Sequence, residues 1–258
     1  SNGVPTSTTT AIINGDFTSN GNLNACSLNI VSGNILIKTG HNFIVQNDFI
    51  VASGTTVTFE NNANLVQVSD TAVNSGSIKY IRETTPVKRY DYTYWSTPIT
   101  SLTMFDVSPL TLSDKYYKWD TSLATFNWKL VPNGNLAMTP GFGYIIRAPQ
   151  TYSITGTAVY QAQFIGTPNT GVITANLRKT TTSNWNLMGN PYPCDLDAKL
   201  LLGLTAADPN FNKIGGTIFF WTHNTPAVTT GTTYTSLDYA YYNMTGGVGT
   251  KSPNMGVN

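Results

Sequence analysis

The first third of the chain repeats a pattern of short apolar stretches separated by Gly, Asn, Ser or Thr. The stretches lie at 30–31, 35–37 and 43–45, and again at 50–51, 57–59 and 65–66. The offset is about 20 to 22 residues, and a weaker copy follows from Asn74 to Ile81. Three short strands per period predict one coil of a right-handed parallel β-helix, with the apolar side chains stacked inward. Periodicity alone leaves open an antiparallel arrangement of many short strands.

From Val87 onward the apolar segments become longer and are bounded by Pro and Gly. Strands are predicted at 89–95, 115–119, 126–131, 143–148, 158–165, 171–177, 184–188, 217–221 and 238–243. Strand signals at this spacing, with Pro-Asn-Gly turns between them, indicate a β-sandwich. One helix is predicted over 195–202, because it follows a proline, has acidic residues in its first turn and ends at Gly203.

The two patterns divide the chain into two regions. Residues 1–83 are predicted to form the β-solenoid, and residues 84–258 an aromatic-rich β-sandwich, so the fold class is all-β. A solenoid has an open end at each terminus that must be capped. The second region is the natural candidate for the cap.

Composition restricts the classes of partner. Charged residues are only 10% of the 258, with Lys+Arg 14 against Asp+Glu 13, so no basic field is present to attract nucleic acid. No apolar run approaches the roughly 20 residues that span a bilayer, so membrane insertion is not expected. A chain poor in Lys and Glu and rich in Thr and Asn is typical of an extracellular or cell-surface protein.

Residues that carry chemistry are few and scattered. Cys26 and Cys194 are far apart in sequence, and two free thiols and one long-range bridge both remain open. His41 and His223 lie in different regions, which leaves no zinc ligand set and no base beside a Ser or Cys nucleophile. The sequence therefore predicts no catalytic residues, no metal ligands and no enzymatic activity.

The aspartates likewise predict no catalytic pair and no calcium loop. Asp195 and Asp197 stand two residues apart at a predicted helix start, where capping explains them better than paired-carboxylate catalysis. No DxDxDG spacing is present for a calcium loop. The only cofactor that the composition leaves room for is a structural calcium ion held partly by backbone carbonyls.

Aromatic residues are the most informative group, with 14 Tyr, 11 Phe and 5 Trp. Alternation in the segment Tyr-Asp-Tyr-Thr-Tyr at 90–94 places three tyrosines on one face of a strand. Rings of this kind either form the core of the sandwich or stack on sugar rings. The candidate ligand-binding residues are Tyr92, Trp95, Trp119, Trp221 and Tyr241.

Five segments of the second region also carry a resemblance. They are YDYTYWSTP at 90–98, PGFGYIIRAP at 140–149, FIGTPN at 164–169, WNLMGNPYP at 185–193 and FWTHN at 220–224. In this order they resemble a module of large secreted and cell-surface proteins of Bacteroidetes, especially flavobacteria, that are exported through the type IX secretion system. The similar segments span roughly residues 75 to 250. A cysteine at position 194 stands where relatives tend to have serine.

The resemblance implies an extracellular location and an adhesin or gliding-associated setting. Asp70-Thr71-Ala72 also resembles the short O-glycosylation motif of this phylum, with Thr71 as the acceptor, although an ordinary turn explains the same residues. The resemblance also implies partners: other copies, neighbouring domains of a surface protein, or surface polysaccharide.

Three functions follow from these observations. The leading hypothesis is a non-enzymatic structural or adhesive module of a bacterial surface protein or filament. The alternative is a carbohydrate-binding module that uses exposed aromatic rings. A second alternative is a polysaccharide-active enzyme, for which analogy with other β-helices is the only support.

Overall fold

The computed structural model describes residues 3–124, 127–181, 183–222, 225, 227 and 234–248. The fold is all-β, with two very short helices among the described residues, and its first part is a β-solenoid. The solenoid strands are β1 (Ala11–Asn14), β2 (Phe17–Thr18), β3 (Leu23–Ala25), β4 (Leu28–Ser32), β5 (Asn34–Ile37), β6 (Asn42–Val45), β7 (Phe49–Val51), β8 (Thr56–Phe59), β9 (Asn64–Gln67), β10 (Asn74–Ser75) and β11 (Ile78–Glu83).

These strands stack in parallel, so that each sheet takes one strand from every coil. The sheets have the orders β1-β4-β7-β10, β2-β5-β8-β11 and β3-β6-β9. They form three complete coils and a partial fourth. In register, Phe43 pairs with Leu65 and Ile35 with Val57, offsets that match the sequence period. The stacked alternative is therefore confirmed over the antiparallel one for this region.

Apolar side chains fill the inside of the coils because alternate residues of each strand point inward. Phe59 is at the centre of this core, with its ring centroid 6.0 Å from Phe43, 6.5 Å from Phe49 and 6.4 Å from Tyr80. All four rings are buried. The first coil is different: its strands are the end strands of their sheets, and inward residues such as Phe17 are only half-buried.

Asparagine side chains form a ladder at one corner of the solenoid. The backbone N–H of Asn42 donates to Asn22 Oδ1 at 2.9 Å, and Asn64 Nδ2 donates to Asn42 Oδ1 at 2.8 Å. Asn64 Nδ2 also lies 3.3 Å from Asp195 Oδ2 in the second region. The ladder satisfies polar groups at the turns and continues from the solenoid into the rest of the chain.

The second region covers all three sides of the last solenoid coils. Strand β16 (Gln161–Gly166) pairs antiparallel with β11 along its full length, from Ile78 opposite Gly166 to Glu83 opposite Gln161. On the second side, the backbone N–H of Leu65 donates to Pro193 O at 2.8 Å. On the third side, Asn74 Nδ2 donates to Pro168 O at 2.9 Å. Because edge strands expose unpaired backbone groups, these contacts cap the C-terminal end of the solenoid, as the sequence predicts.

The rest of the second region consists of small antiparallel sheets and loops. Its other elements are β12 (Tyr92–Trp95), α1 (Met104–Val107), β13 (Tyr116–Trp119), β14 (Trp128–Leu130), β15 (Tyr144–Arg147), α2 (Ala198–Leu202), β17 (Thr217–Trp221), β18 (Tyr239–Asn243) and β19 (Gly246–Val248), with 3-10 turns at Pro132–Gly134 and Ser236–Asp238. One sheet has the order β12-β15-β13-β14, and a smaller one the order β17-β18-β19. These two sheets do not by themselves confirm the predicted β-sandwich.

Most predicted elements of this region exist with shorter bounds. The predicted helix begins at Ala198, because Asp197 is its N-cap and accepts from the backbone N–H groups of Lys199 and Leu200, and it ends at Gly203. The strands predicted over 171–177 and 184–188 are wrong: both segments are irregular, apart from an isolated bridge between Phe142 and Met188. Tertiary hydrogen bonds from side chains replace the ladder there. The backbone N–H of Ile173, for example, donates to the hydroxyl of Tyr192 at 3.3 Å, and that hydroxyl donates to Gly171 O at 2.7 Å.

We expect replacement of Phe59 by Ala to lower the free energy of unfolding by about 3 to 5 kcal/mol, because the cavity removes ring contacts to three neighbours. Phe105→Ala is the matched control, because Phe105 is 44% exposed on α1. Urea unfolding followed by far-UV circular dichroism measures both. Equal losses in the two variants would contradict a stacked aromatic core.

Candidate functional site

The sheet of β17 and β18 presents large rings to solvent. Phe219 and Tyr241 are cross-strand partners on one face of this sheet, with ring centroids 6.3 Å apart. The ring of Trp185 meets Phe219 edge-on at 5.1 Å. The exposed fractions are 60% for Trp185, 46% for Phe219 and 38% for Tyr241. We call these three residues the ring surface.

The irregular segment that carries Trp185 is held in place by side chains of the neighbouring sheet. Trp119 Nε1 and Thr121 Oγ1 each donate to the carbonyl oxygen of Trp185 at 2.8 Å. Thr121 is buried, so one of these bonds is protected from solvent. The exposed indole of Trp185 therefore stands on a fixed backbone.

Beside the ring surface, on the same face of β17 and β18, a layer of half-buried rings joins the two small sheets. Trp119 contacts Trp128 at 4.8 Å, Trp128 contacts Tyr94 at 5.8 Å, and Tyr94 stacks on Trp221 at 5.5 Å with an interplanar angle of 13°. The hydroxyl groups of Tyr94 and Tyr239 are 3.1 Å apart. Burial, followed by the hydrogen bond to Tyr239, raises the pKa of Tyr94 well above its usual value.

The structure places the five predicted ligand-binding residues in different surroundings. Trp119, Trp221 and Tyr92 belong to the half-buried layer, where Trp221 Nε1 donates to Tyr92 O at 3.0 Å. Trp95 points away from that layer and packs 5.9 Å from Phe164 of the core. Only Tyr241 of the five is exposed, and it belongs to the ring surface. Sugar binding by these five residues stays a prediction.

The candidate ligand-binding residues chosen from the sequence did not include Trp185 and Phe219. Phe219 alternates with Trp221 along a strand that the sequence predicts with its observed bounds, so the alternation signals a shared face. Trp185 is surrounded by polar residues in Ser-Asn-Trp-Asn. Apart from its place in the WNLMGNPYP segment of the resemblance, its signal was a lone large ring among polar residues.

A cleft of about 260 Å³ lies where the second region meets the solenoid, lined in part by Arg82, Trp95, Cys194 and Asp195. Arg82 donates to the carbonyls of Glu60, Ile81 and Ala63 and to the hydroxyl of Tyr80, so its guanidinium group caps the coil. Burial lowers the pKa of Arg82 to about 10. These hydrogen bonds give the guanidinium group of Arg82 a structural role.

Cys194 lies in the same cleft, and it and Cys26 are both free thiols. Burial, followed by the negative charge of Asp195, raises the pKa of the Cys194 thiol to about 11. Nucleophilic cysteines have depressed pKa values. The thiol group is therefore predominantly protonated at neutral pH.

Other singled-out residues have local roles. His41 Nδ1 is 2.7 Å from Ser19 Oγ at a solenoid corner, while His223 lies outside the described residues. Thr71 is exposed in a turn, where its hydroxyl is 3.0 Å from Ser69 Oγ. Among the described residues, no group of three or more His, Cys, Asp or Glu side chains is placed to hold a metal ion.

Comparison with known proteins identifies a family without a known activity. The model of the family described as a domain of unknown function, DUF8693, matches residues 1–257. The chain belongs to this family. No curated protein and no solved structure matches this DUF8693 member. Within the part of the chain that the structure describes, no helix is long and apolar enough to cross a membrane.

We expect Cys194 to react slowly with iodoacetamide at pH 7, because a pKa of about 11 leaves little thiolate. Its rate should rise about tenfold per pH unit from pH 7 to 9.5, without a plateau. Mass spectrometry of a Cys26→Ala variant follows this one thiol. A plateau near pH 7 would mean a depressed pKa and an activated cysteine.

Proposed function

We propose that this DUF8693 member is a non-enzymatic structural and adhesive module of a bacterial surface protein or filament. Its fold would be a right-handed parallel β-helix followed by a β-sandwich. The solenoid acts as a rigid spacer, and the second region caps it and displays loops and rings. Its partners are neighbouring domains, other copies or surface polysaccharide.

One observation carries this proposal: the six-residue antiparallel pairing of β11 with β16. It extends a sheet of the solenoid directly into the second region, and one cluster of buried residues runs from Leu28 through Phe59 to Phe164. A continuous backbone ladder and a shared core transmit force without a flexible joint. Rigidity of this kind is what a spacer or filament module requires.

The extracellular setting rests on the low charge, the Thr and Asn content and the resemblance to exported proteins of Bacteroidetes. Thr71 lies exposed in its turn, as a glycosylated threonine would need to be. An export route of the type IX kind and modification of Thr71 are parts of the proposal.

The exposure of the ring surface favours a second candidate function, carbohydrate binding. Large aromatic side chains are normally buried, so three neighbouring exposed rings indicate a surface that binds another molecule. A screen against bacterial, algal and plant polysaccharides, with calcium and with chelator, tests this candidate. Saturable binding supports it, and binding to none contradicts it.

If the chain is one rigid module, destabilising the solenoid should destabilise the second region equally. All five tryptophans lie beyond residue 84, so their fluorescence reports the second region alone. We expect Phe59→Ala to lower the urea midpoint of the fluorescence transition as much as that of far-UV circular dichroism. A fluorescence midpoint equal to that of the unmodified protein would mean two independent units and would contradict a rigid spacer.

The surface location has a separate test. Antibodies raised against residues 1–258 should label intact cells of the source bacterium or detect the protein in its culture medium. An antibody against a cytoplasmic enzyme controls for lysis. Signal confined to the cytoplasmic fraction would contradict the proposal.

A further inference from the structure

We propose that the ring surface is a binding site for a neutral polysaccharide, with Trp185, the most exposed of its three rings, as the main contact. The inference rests on the second candidate function above and gives it a location and a ligand class. Of the five residues suggested by the sequence, Tyr241 belongs to the ring surface and Trp119 only positions Trp185.

The first step is the arrangement of the rings. Successive ring centroids are 5.1 and 6.3 Å apart, each comparable to the length of one sugar unit in a chain. The C–H groups of a pyranose form an apolar face that packs on an aromatic ring, while its hydroxyl groups remain free for hydrogen bonds. A row of rings therefore suits a polymer of sugars better than a compact small molecule.

The second step is rigidity. Phe219 and Tyr241 are fixed by the paired strands β17 and β18, and the backbone of Trp185 is fixed by its bonds from Trp119 and Thr121. Fixing the rings before binding lowers the conformational entropy lost on contact with a ligand. Trp119 is therefore a positioning residue, since it acts on the ligand only through Trp185.

The third step is charge. Strands β17, β18 and β19 contain no Asp, Glu, Lys or Arg, and neither does the segment 183–194 around Trp185. Arg178 is linked to this segment through its backbone N–H, which donates to Asn186 Oδ1. An acidic polysaccharide would need cations in bidentate or paired arrangement. Strands β17 to β19 and residues 183–194 supply no such pair, which favours a neutral polysaccharide.

The fourth step is the polar rim. Thr217 and Asn243 are cross-strand partners two residues along from Phe219 and Tyr241, so they share the same face of the sheet. A hydroxyl and an amide group beside the rings suit the hydroxyl groups of sugars. An apolar protein interface would instead be expected to continue with aliphatic side chains.

The test is native affinity electrophoresis of the full chain in gels that contain one polysaccharide each, neutral (a β-glucan, a xylan, starch) or acidic (alginate, pectin). We expect retardation by at least one neutral polymer. Trp185→Ala and Tyr241→Ala should raise the apparent Kd roughly tenfold or more. Trp119→Phe, which keeps a ring but loses the N–H donor, should raise it by a smaller factor.

Phe220→Ala is the matched control, because Phe220 is 42% exposed on the opposite face of the same strand. Its apparent Kd should stay within about twofold of the unmodified protein. Near-UV circular dichroism and thermal unfolding of every variant establish that the fold is retained.

The remaining outcomes distinguish failure of the ring surface as the site from failure of carbohydrate binding itself. Retention by a neutral polymer that Trp185→Ala leaves unchanged would overturn the ring surface as the site while carbohydrate binding stands. Retention only by alginate or pectin would overturn the neutral class. Retention by no polysaccharide would overturn carbohydrate binding itself. Concentration-dependent self-association that Trp185→Ala abolishes would assign the rings to a protein contact instead.

Discussion

The open edge of the last solenoid coil is the constraint on which the rest of the structure depends. Parallel strands cannot end without leaving a row of unpaired backbone groups, and here β16 pairs with β11 to cover that row. This pairing fixes where the second region begins its packing. Trp95 and Phe164 then extend the core past the coil, and the carbonyl oxygens of Pro193 and Pro168 accept hydrogen bonds from the other two sides. The solenoid and the second region that caps it therefore share one hydrophobic core.

The solenoid was predictable because its pattern of buried positions repeats from coil to coil. Each coil buries the same inward positions, so Ile35 and Val57, or Phe43 and Leu65, leave the same mark in the sequence about one coil apart. The repeat also indicated where the coil pattern ends and a cap is needed. The strand that caps was not identifiable as such, because pairing between Tyr80 and Phe164 joins residues that no local pattern connects.

The second region was less predictable for the same reason. Strand existence followed from local patterns, and β17 was predicted with its observed bounds. The segments 171–177 and 184–188 look like strands locally, but side chains from elsewhere satisfy their backbone, as Tyr192 and Trp119 do. Composition could count the rings. It could not assign Trp95 to the core and Trp185 to the surface, because that choice depends on which sheets meet.

The distribution of the rings separates stability from recognition. Rings such as Tyr94 and Trp221 stack on each other between the sheets, where burial contributes to folding. Trp185 contributes little burial, yet two hydrogen bonds hold its backbone still. Replacing this side chain by Ala would leave the two carbonyl bonds in place and would remove the exposed ring with its edge-on contact to Phe219. The exposed ring on a fixed backbone is the observation that supports the proposed binding site at the ring surface.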